Sequence, residues 1–381
     1  VTGGTTLGAV VAALDEMYPQ RWADVGDPVG LVTGDPASPV RSVLFAVDPV
    51  QAVVDEAVAT AVDLLVTHHP LLYRPVSSVA ASSPKGRAVH DLIRHDVGLY
   101  VAHTNADSPP GGVSASLAAA LGLVDVRPLR PHPGDPLDKV VTFVPRAQAN
   151  HVVDALAAAG AGSIGDYDRC AFLADGTGTF RPGDGAHPAI GTVGQVEEVA
   201  ETRVEMVLTR SRRDAVVAAL RQAHPYEEPA FDVLELASWA SHRGAGRIGS
   251  LSPPTTLRDF ADSVVAALPP TAVGARVSGD PDRPISTVAV AGGAGDFLLD
   301  DARASGADVY VTSDLRHHPA SEFREHADAP ALVDVPHWAA EWTWLPIACA
   351  ALARHLGDAS ATLAVSSLCT DPWSFTARRT E

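Results

Sequence analysis

Cysteine is scarce in this chain. There are three in 381 residues, Cys170, Cys349 and Cys369, far apart and in no CxxC pair. That spacing speaks against a disulfide framework or a thiolate metal cage, and it makes a reducing, cytoplasmic setting the expectation. Lysine is rarer still, at positions 85 and 139 only, so nearly all positive charge is arginine. A net charge of −18 argues against a nucleic-acid partner. No apolar run is long enough to cross a bilayer, so no membrane role is expected. The amino terminus has no basic leader; Leu7, Val10, Val11, Leu14 and Met17 recur at helical spacing before Pro19, with Thr5 or Thr6 as cap. There is no P-loop. Gly26, Gly30 and Gly34 lack the strand context of a dinucleotide fingerprint and read as a packing loop. What is present is the 46% apolar content of a globular protein, at a length sufficient for two or three domains.

The chain is organised around Leu64-Leu65-Val66-Thr67-His68-His69-Pro70. The apolar run is short for a helix and suits a buried strand. Pro70 biases His69 toward extended geometry and stops the strand. Both imidazoles therefore leave a strand at its carboxyl end, where open α/β sheets place ligands. A turn pair without a ligand is the plainer alternative; paired neutral imidazoles are equally good donors for Zn²⁺, Fe²⁺ or Mn²⁺.

That strand closes a βαβ unit formed by Val43–Val47, Pro49–Ala61 and Leu64–Thr67. A second unit matches it without gaps 245 residues later: Val288–Ala291, a helix around Phe297–Ala304, then Val309–Thr312. Val43/Val288, Asp63/Asp308 and Thr67/Thr312 are among the identical pairs. Self-similarity of this kind predicts two related α/β halves forming a shared cleft. Between them a different segment is doubled at an offset of 64, with Lys139-Val140 and Val152-Val153 matching Arg203-Val204 and Val216-Val217. Two tandem strand–helix–strand copies predict an inserted ferredoxin-like α+β domain. The fold class is thus α/β with domains at 1–134, 135–238 and 239–381. Asp175–Gly194, rich in Gly and Pro, reads as a loop or hairpin tip, and His224–Val233 (HPYEEPAFDV) as a structural helix-to-strand connection.

Three further polar clusters join the histidine pair: His103-Thr104-Asn105-Ala106-Asp107 after a strand, Thr312-Ser313-Asp314 with His317-His318, and Asp334-Val335-Pro336-His337 with Glu341. If Pro336 opens a helix capped by Asp334, His337 and Glu341 share one face at i and i+4. Imidazoles mixed with carboxylates suit two divalent ions bridged by a carboxylate.

In these residues, together with Trp22-Ala23-Asp24-Val25-Gly26, Gly30-Leu31 and Gly34, the sequence resembles the Nif-three-like dinuclear-metal family, the GTP cyclohydrolase I type 2 homologues, in family order over nearly the whole chain. The segment with HPYEEPAFDV is similar to the PII- or CutA-like insertion of its longer members. The resemblance implies His68, His69, Asp107, His337 and Glu341 as ligands of two divalent metal ions (Zn, Fe or Mn), with Glu341 bridging. It also implies a ring-shaped homohexamer and a small-molecule substrate or ligand. Ser313 stands where the family has glycine, and either His317 or His318 corresponds to its single histidine. The function expected is a metal-dependent hydrolase in which unligated His103 or His318 moves protons. The alternative is a non-enzymatic metal-binding or regulatory hexamer whose insertion senses a ligand.

Overall fold

A computed structural model of the chain describes residues 5–357 and 361–377. It divides into two compact units, Val1–His132 with His242–Glu381, and Pro133–Ser241.

The first unit holds two sheets built around parallel strands. In one, Thr362–Val365, Ser42–Ala46, Leu64–Thr67 and Gly98–Val101 run parallel in that spatial order, and Gly30–Thr33 closes the edge antiparallel. In the other, Pro284–Ala294, Val309–Ser313 and Ala331–Asp334 are parallel neighbours flanked by antiparallel strands. Strands covered on both faces need apolar residues at consecutive positions rather than alternate ones. Leu64-Leu65-Val66 and Val309-Tyr310-Val311 meet that need and are fully buried. Asp63 and Asp308 open corresponding turns. Asp63 accepts hydrogen bonds from Arg41 N and Ser42 N, and Asp308 from Ser286 N and Thr287 N. The 245-residue repeat is therefore a repeat of structure down to the turns that these aspartates hold.

The halves share one core in which Phe45, Val66 and Tyr100 lie with Val290, Val311, Val333 and Trp344. Leu7–Met17 is a helix whose cap is Thr6, accepting from Ala9 N at 3.2 Å, and Leu7, Val10 and Leu14 are its buried stripe. With one core beneath both sheets, the carboxyl ends of both sets of parallel strands carry the histidine- and aspartate-bearing turns described below.

The second unit is an antiparallel sheet in the order Phe231–Glu235, Leu137–Pro145, Glu197–Thr209, Phe172–Phe180. Helices Ala149–Ala158 and Arg213–Ala223 bury Val152, Val153, Leu156, Val216 and Leu220 against it. Strand–helix–strand twice over, in the spatial order four-one-three-two, is the ferredoxin-like arrangement expected. One stretch differs. Asp175–Phe180 continues a strand rather than starting a loop, because Asp175–Phe180 pairs residue by residue with Glu197–Thr202; the ladder outweighs the poor strand propensity of Gly176 and Gly178.

Asp308→Ala would leave the exposed Ser286 amide and the partly buried Thr287 amide without their acceptor, a loss of about 0.5–1.5 kcal/mol. Urea unfolding should show it at unchanged slope; a loss of under ~0.5 kcal/mol would mean that the turn is held by backbone alone.

Candidate metal centre

Each candidate side chain sits just beyond the end of a parallel strand. His68 and His69 follow Leu64–Thr67, His103 follows Gly98–Val101, and Asp107 ends the single helical turn Thr104–Asp107. His337 opens the helix His337–Trp342, which carries Glu341 one turn later on the same face. Pro336 is the cap residue of that helix. Asp334 does not cap it: its carboxylate accepts from Leu315 N at 3.1 Å and pairs with Arg276, whose charge is the stronger partner.

Four imidazoles are held through Nδ1. His68 Nδ1 donates to the Ala102 carbonyl at 2.8 Å, His69 Nδ1 to Asp48 at 2.7 Å, His103 Nδ1 to Asp27 at 2.8 Å and His337 Nδ1 to Asp314 at 2.7 Å. A carbonyl or carboxylate only accepts, so the Nδ1 proton is fixed and Nε2 is the nitrogen left to take either a second proton or a metal. The Nε2 atoms converge. His337 Nε2 is 3.3 Å from His69 Nε2, and Glu341 lies 2.7 Å from His337 Nε2, 3.0 Å from His69 Nε2 and 3.5 Å from His68 Nε2. Among the described residues, two overlapping groups have ligand atoms close enough to hold a metal ion: His68, His69 and His103; and His69, His337 and Glu341, with His69 common to both.

The electrostatics show what the cluster lacks without a cation. Burial alone would push the Glu341 carboxyl up, yet the charges of His69, His68 and His337 hold it well below the ordinary carboxylate range. Burial, the largest single influence, favours neutral imidazoles, but Glu341 together with Asp48 at His69 and Asp314 at His337 outweighs it and raises His69 to about 11 and His337 to about 9. His103 moves the other way, lowered by burial and by the charge at His68 against the pull of Asp27. Asp107 is pushed up to about 6 by desolvation first, with Glu341 adding repulsion; its side chain keeps 38% of its surface while protein surrounds it densely. Protons thus occupy part of the role that a metal would take. They do so incompletely: Glu341 Oε2 is buried 3.0 Å from His69 Nε2 without an aligned hydrogen bond, a costly state that a cation would relieve. The donor set and this orphaned oxygen fit divalent metal.

Of the residues expected, His68, His69, His337 and Glu341 come together. Asp107 stands slightly apart, 3.6 Å from His68 Nε2, and belongs to neither three-ligand group. His103, expected to move protons, stands with His68 and His69 in a group that could hold a metal ion. His317 and His318 are both exposed at the start of the helix His317–Arg324, their rings 5.2 Å apart; among the described residues the structure does not bring His318 into the cluster. Sequence reasoning missed Asp27 and Asp48 as the anchors of His103 and His69, and Gly293. A Cβ on Gly293 would fall 2.7 Å from Glu341 Oε1, and its φ is +74°, so glycine is required twice over. The 245-residue repeat held the missing signal: Asp48 aligns with Gly293 and His69 with Asp314. Where the first half supplies a ligand, the second supplies the anchor for a ligand borne on the next helix. A cavity of about 670 Å³ opens beside His69 and His337, with Arg276, Asp371 and Trp373 on its walls.

Cation uptake must displace the protons on His69 and His337. With raised values of about 11 and 9, both are protonated at pH 7, so binding releases protons and affinity rises with pH steeply to about 9 and more gently to about 11. The sign for the metal-free fold is opposite: the histidine–glutamate clasp is fully present below about pH 6.5 and weakens as pH climbs through 9 to 11. Zinc titration calorimetry in buffers of different ionisation enthalpy should show net proton release at pH 7. Uptake without proton release would contradict this charge state.

Comparison with known proteins gives the family. The family description Duf34/NIF3 (NGG1p interacting factor 3) matches residues 5–372. A Mycobacterium tuberculosis protein named GTP cyclohydrolase 1 type 2 homolog is 52% identical over 369 residues, 97% of this chain and 96% of the relative. A Bacillus subtilis protein of the same name is 40% identical, covering 82% of this chain and 83% of the relative. The crystal structure of a Bacillus cereus protein related to NIF3 superimposes with a TM-score of 0.82 at 36% identity, over 98% of this chain and 100% of that one. The chain belongs to the Duf34/NIF3 family.

Proposed function

We propose that the cluster binds two divalent cations and that the protein is a metal-dependent hydrolase. The observation that carries the reading is Glu341, whose side chain is 4% exposed, faces three imidazoles and keeps one buried oxygen without a hydrogen bond. A carboxylate so placed, with its oxygens 2.7–3.5 Å from the Nε2 atoms of His337, His69 and His68, is suited to bridging. Zinc, iron and manganese all suit a set of imidazoles and carboxylates. When bound, such ions lower the pKa of water and polarise a carbonyl or phosphoryl group.

The chain's own contribution is orientation and proton handling. Asp27, Asp48, Asp314 and the Ala102 carbonyl lock the four rings with Nε2 inward. Asp107, partly open and pushed up to about 6, holds or gives up a proton near neutrality. The 670 Å³ cavity beside His69 lies within the range for small-molecule sites, roughly 300–1,000 Å³. The relatives' name points to hydrolytic opening of a nucleotide ring, so GTP, phosphoesters and cyclic amides form the substrate panel. Three free cysteines suit a reducing cytoplasm.

A second reading is a regulatory, ring-shaped homohexamer in which the ions are structural. It is favoured by a separate cavity in the inserted unit. Full coordination of both ions by protein would support it, since catalytic sites keep an open position.

Metal analysis of wild type and Glu341→Gln, with circular dichroism to check folding, tests the bridge. The wild type should hold about two ions per chain and the variant one or none, with any hydrolysis of the panel lost. A folded variant that retains both ions would remove Glu341 from the centre of the proposal.

A further inference from the structure

The inserted unit contains a cavity of about 450 Å³ that the metal chemistry does not use. The rings of Phe143, Phe180 and Tyr226 form part of its wall, with the Phe180 and Tyr226 centroids 5.6 Å apart. Glu201 is set among them on the strand Glu197–Thr209 and is only 8% exposed. Its Oε1 accepts the Tyr226 hydroxyl at 2.8 Å, and no donor among the described residues reaches Oε2. The carboxylate lies directly over Gly178 on the neighbouring strand, where a Cβ would come within 1.9 Å of Oε2. That glycine, which interrupts a strand with no turn to make, clears the space the carboxylate occupies. Glu227 and Glu228 add two more carboxylates to the lining, and no lysine or arginine lines it.

A largely buried carboxylate with one hydrogen bond and no lysine or arginine in the cavity wall is costly, and aromatic faces attract cations rather than anions, as Arg203 does at 6.0 Å over the Phe143 ring. From this pairing of a carboxylate with three rings we propose that the inserted unit binds a small organic cation, an ammonium group carried on an apolar body. The ammonium would sit on Glu201 Oε2 and the ring faces, with the body against Ile190 and Pro188. The volume admits a ligand of roughly ten to twenty non-hydrogen atoms, within the usual span of small-molecule sites. The site stands apart from the metal-dependent reading and survives its failure.

Calorimetry on the full-length protein tests it with three probes of similar shape: benzyltrimethylammonium, which has no lone pair for a metal, benzylamine, and neutral benzyl alcohol. Both cations should bind saturably and benzyl alcohol about tenfold more weakly or not at all. Glu201→Gln and Phe180→Ala, each checked for folding, should weaken benzyltrimethylammonium by about tenfold and severalfold respectively, while Glu341→Gln leaves it unchanged. The order of the two cations tells a quaternary from a primary ammonium site. Equal binding of the alcohol, Glu201→Gln within about twofold of wild type, or no saturable binding of either cation would overturn the proposal.

Discussion

One buried carboxylate sets the terms for the metal centre. Glu341 is removed from water yet surrounded by His68, His69 and His337. An isolated carboxylate there would take up a proton. It remains charged only because the imidazoles carry positive charge, or because a cation replaces those protons. The pairing does not by itself stabilise the fold by much, since desolvation offsets the attraction between buried charges. What it does is hold imidazoles and a carboxylate in one arrangement that could take a metal ion in place of protons.

The architecture serves that arrangement. Two half-domains with a common core end their parallel strands beside one another, so that residues more than 260 positions apart lie within hydrogen-bond distance, as His69 and His337 do. The halves are not used symmetrically. In the first, the strand end offers imidazoles directly. In the second, the equivalent strand end offers Asp314, a glycine stands where the first half has Asp48, and the ligands come from the helix beyond. Duplication followed by divergence of the loops would place ions asymmetrically in a nearly symmetric frame.

Much of this was legible in the sequence. Apolar runs too short for helices, the 245-residue match and the i, i+4 spacing of His337 and Glu341 all survive in the structure, because each reports backbone geometry that local sequence controls. The offset of 64 likewise foretold the ferredoxin-like unit. What sequence did not reveal depends on which side chains meet. Nothing near Asp27 or Asp48 marks them as anchors for His103 and His69, since loop aspartates are common and usually solvated. His103 and His318 looked alike as strand-end or loop histidines, yet one is drawn inward by Asp27 and the other is exposed. Asp334 had the spacing of a helix cap and was taken by Arg276 instead, a choice decided by a strand 58 residues away. Asp175–Phe180 became strand because a partner strand was there to pair with it.

The central claim is that Glu341 bridges two cations held by His68, His69, His103 and His337. Anomalous diffraction from zinc-loaded crystals, measured on both sides of the zinc edge, tests it most directly. The account predicts two peaks per chain, about 3.5–4 Å apart with Glu341 between them. A single peak, or peaks coordinated by other residues with Glu341 left unligated, would contradict it.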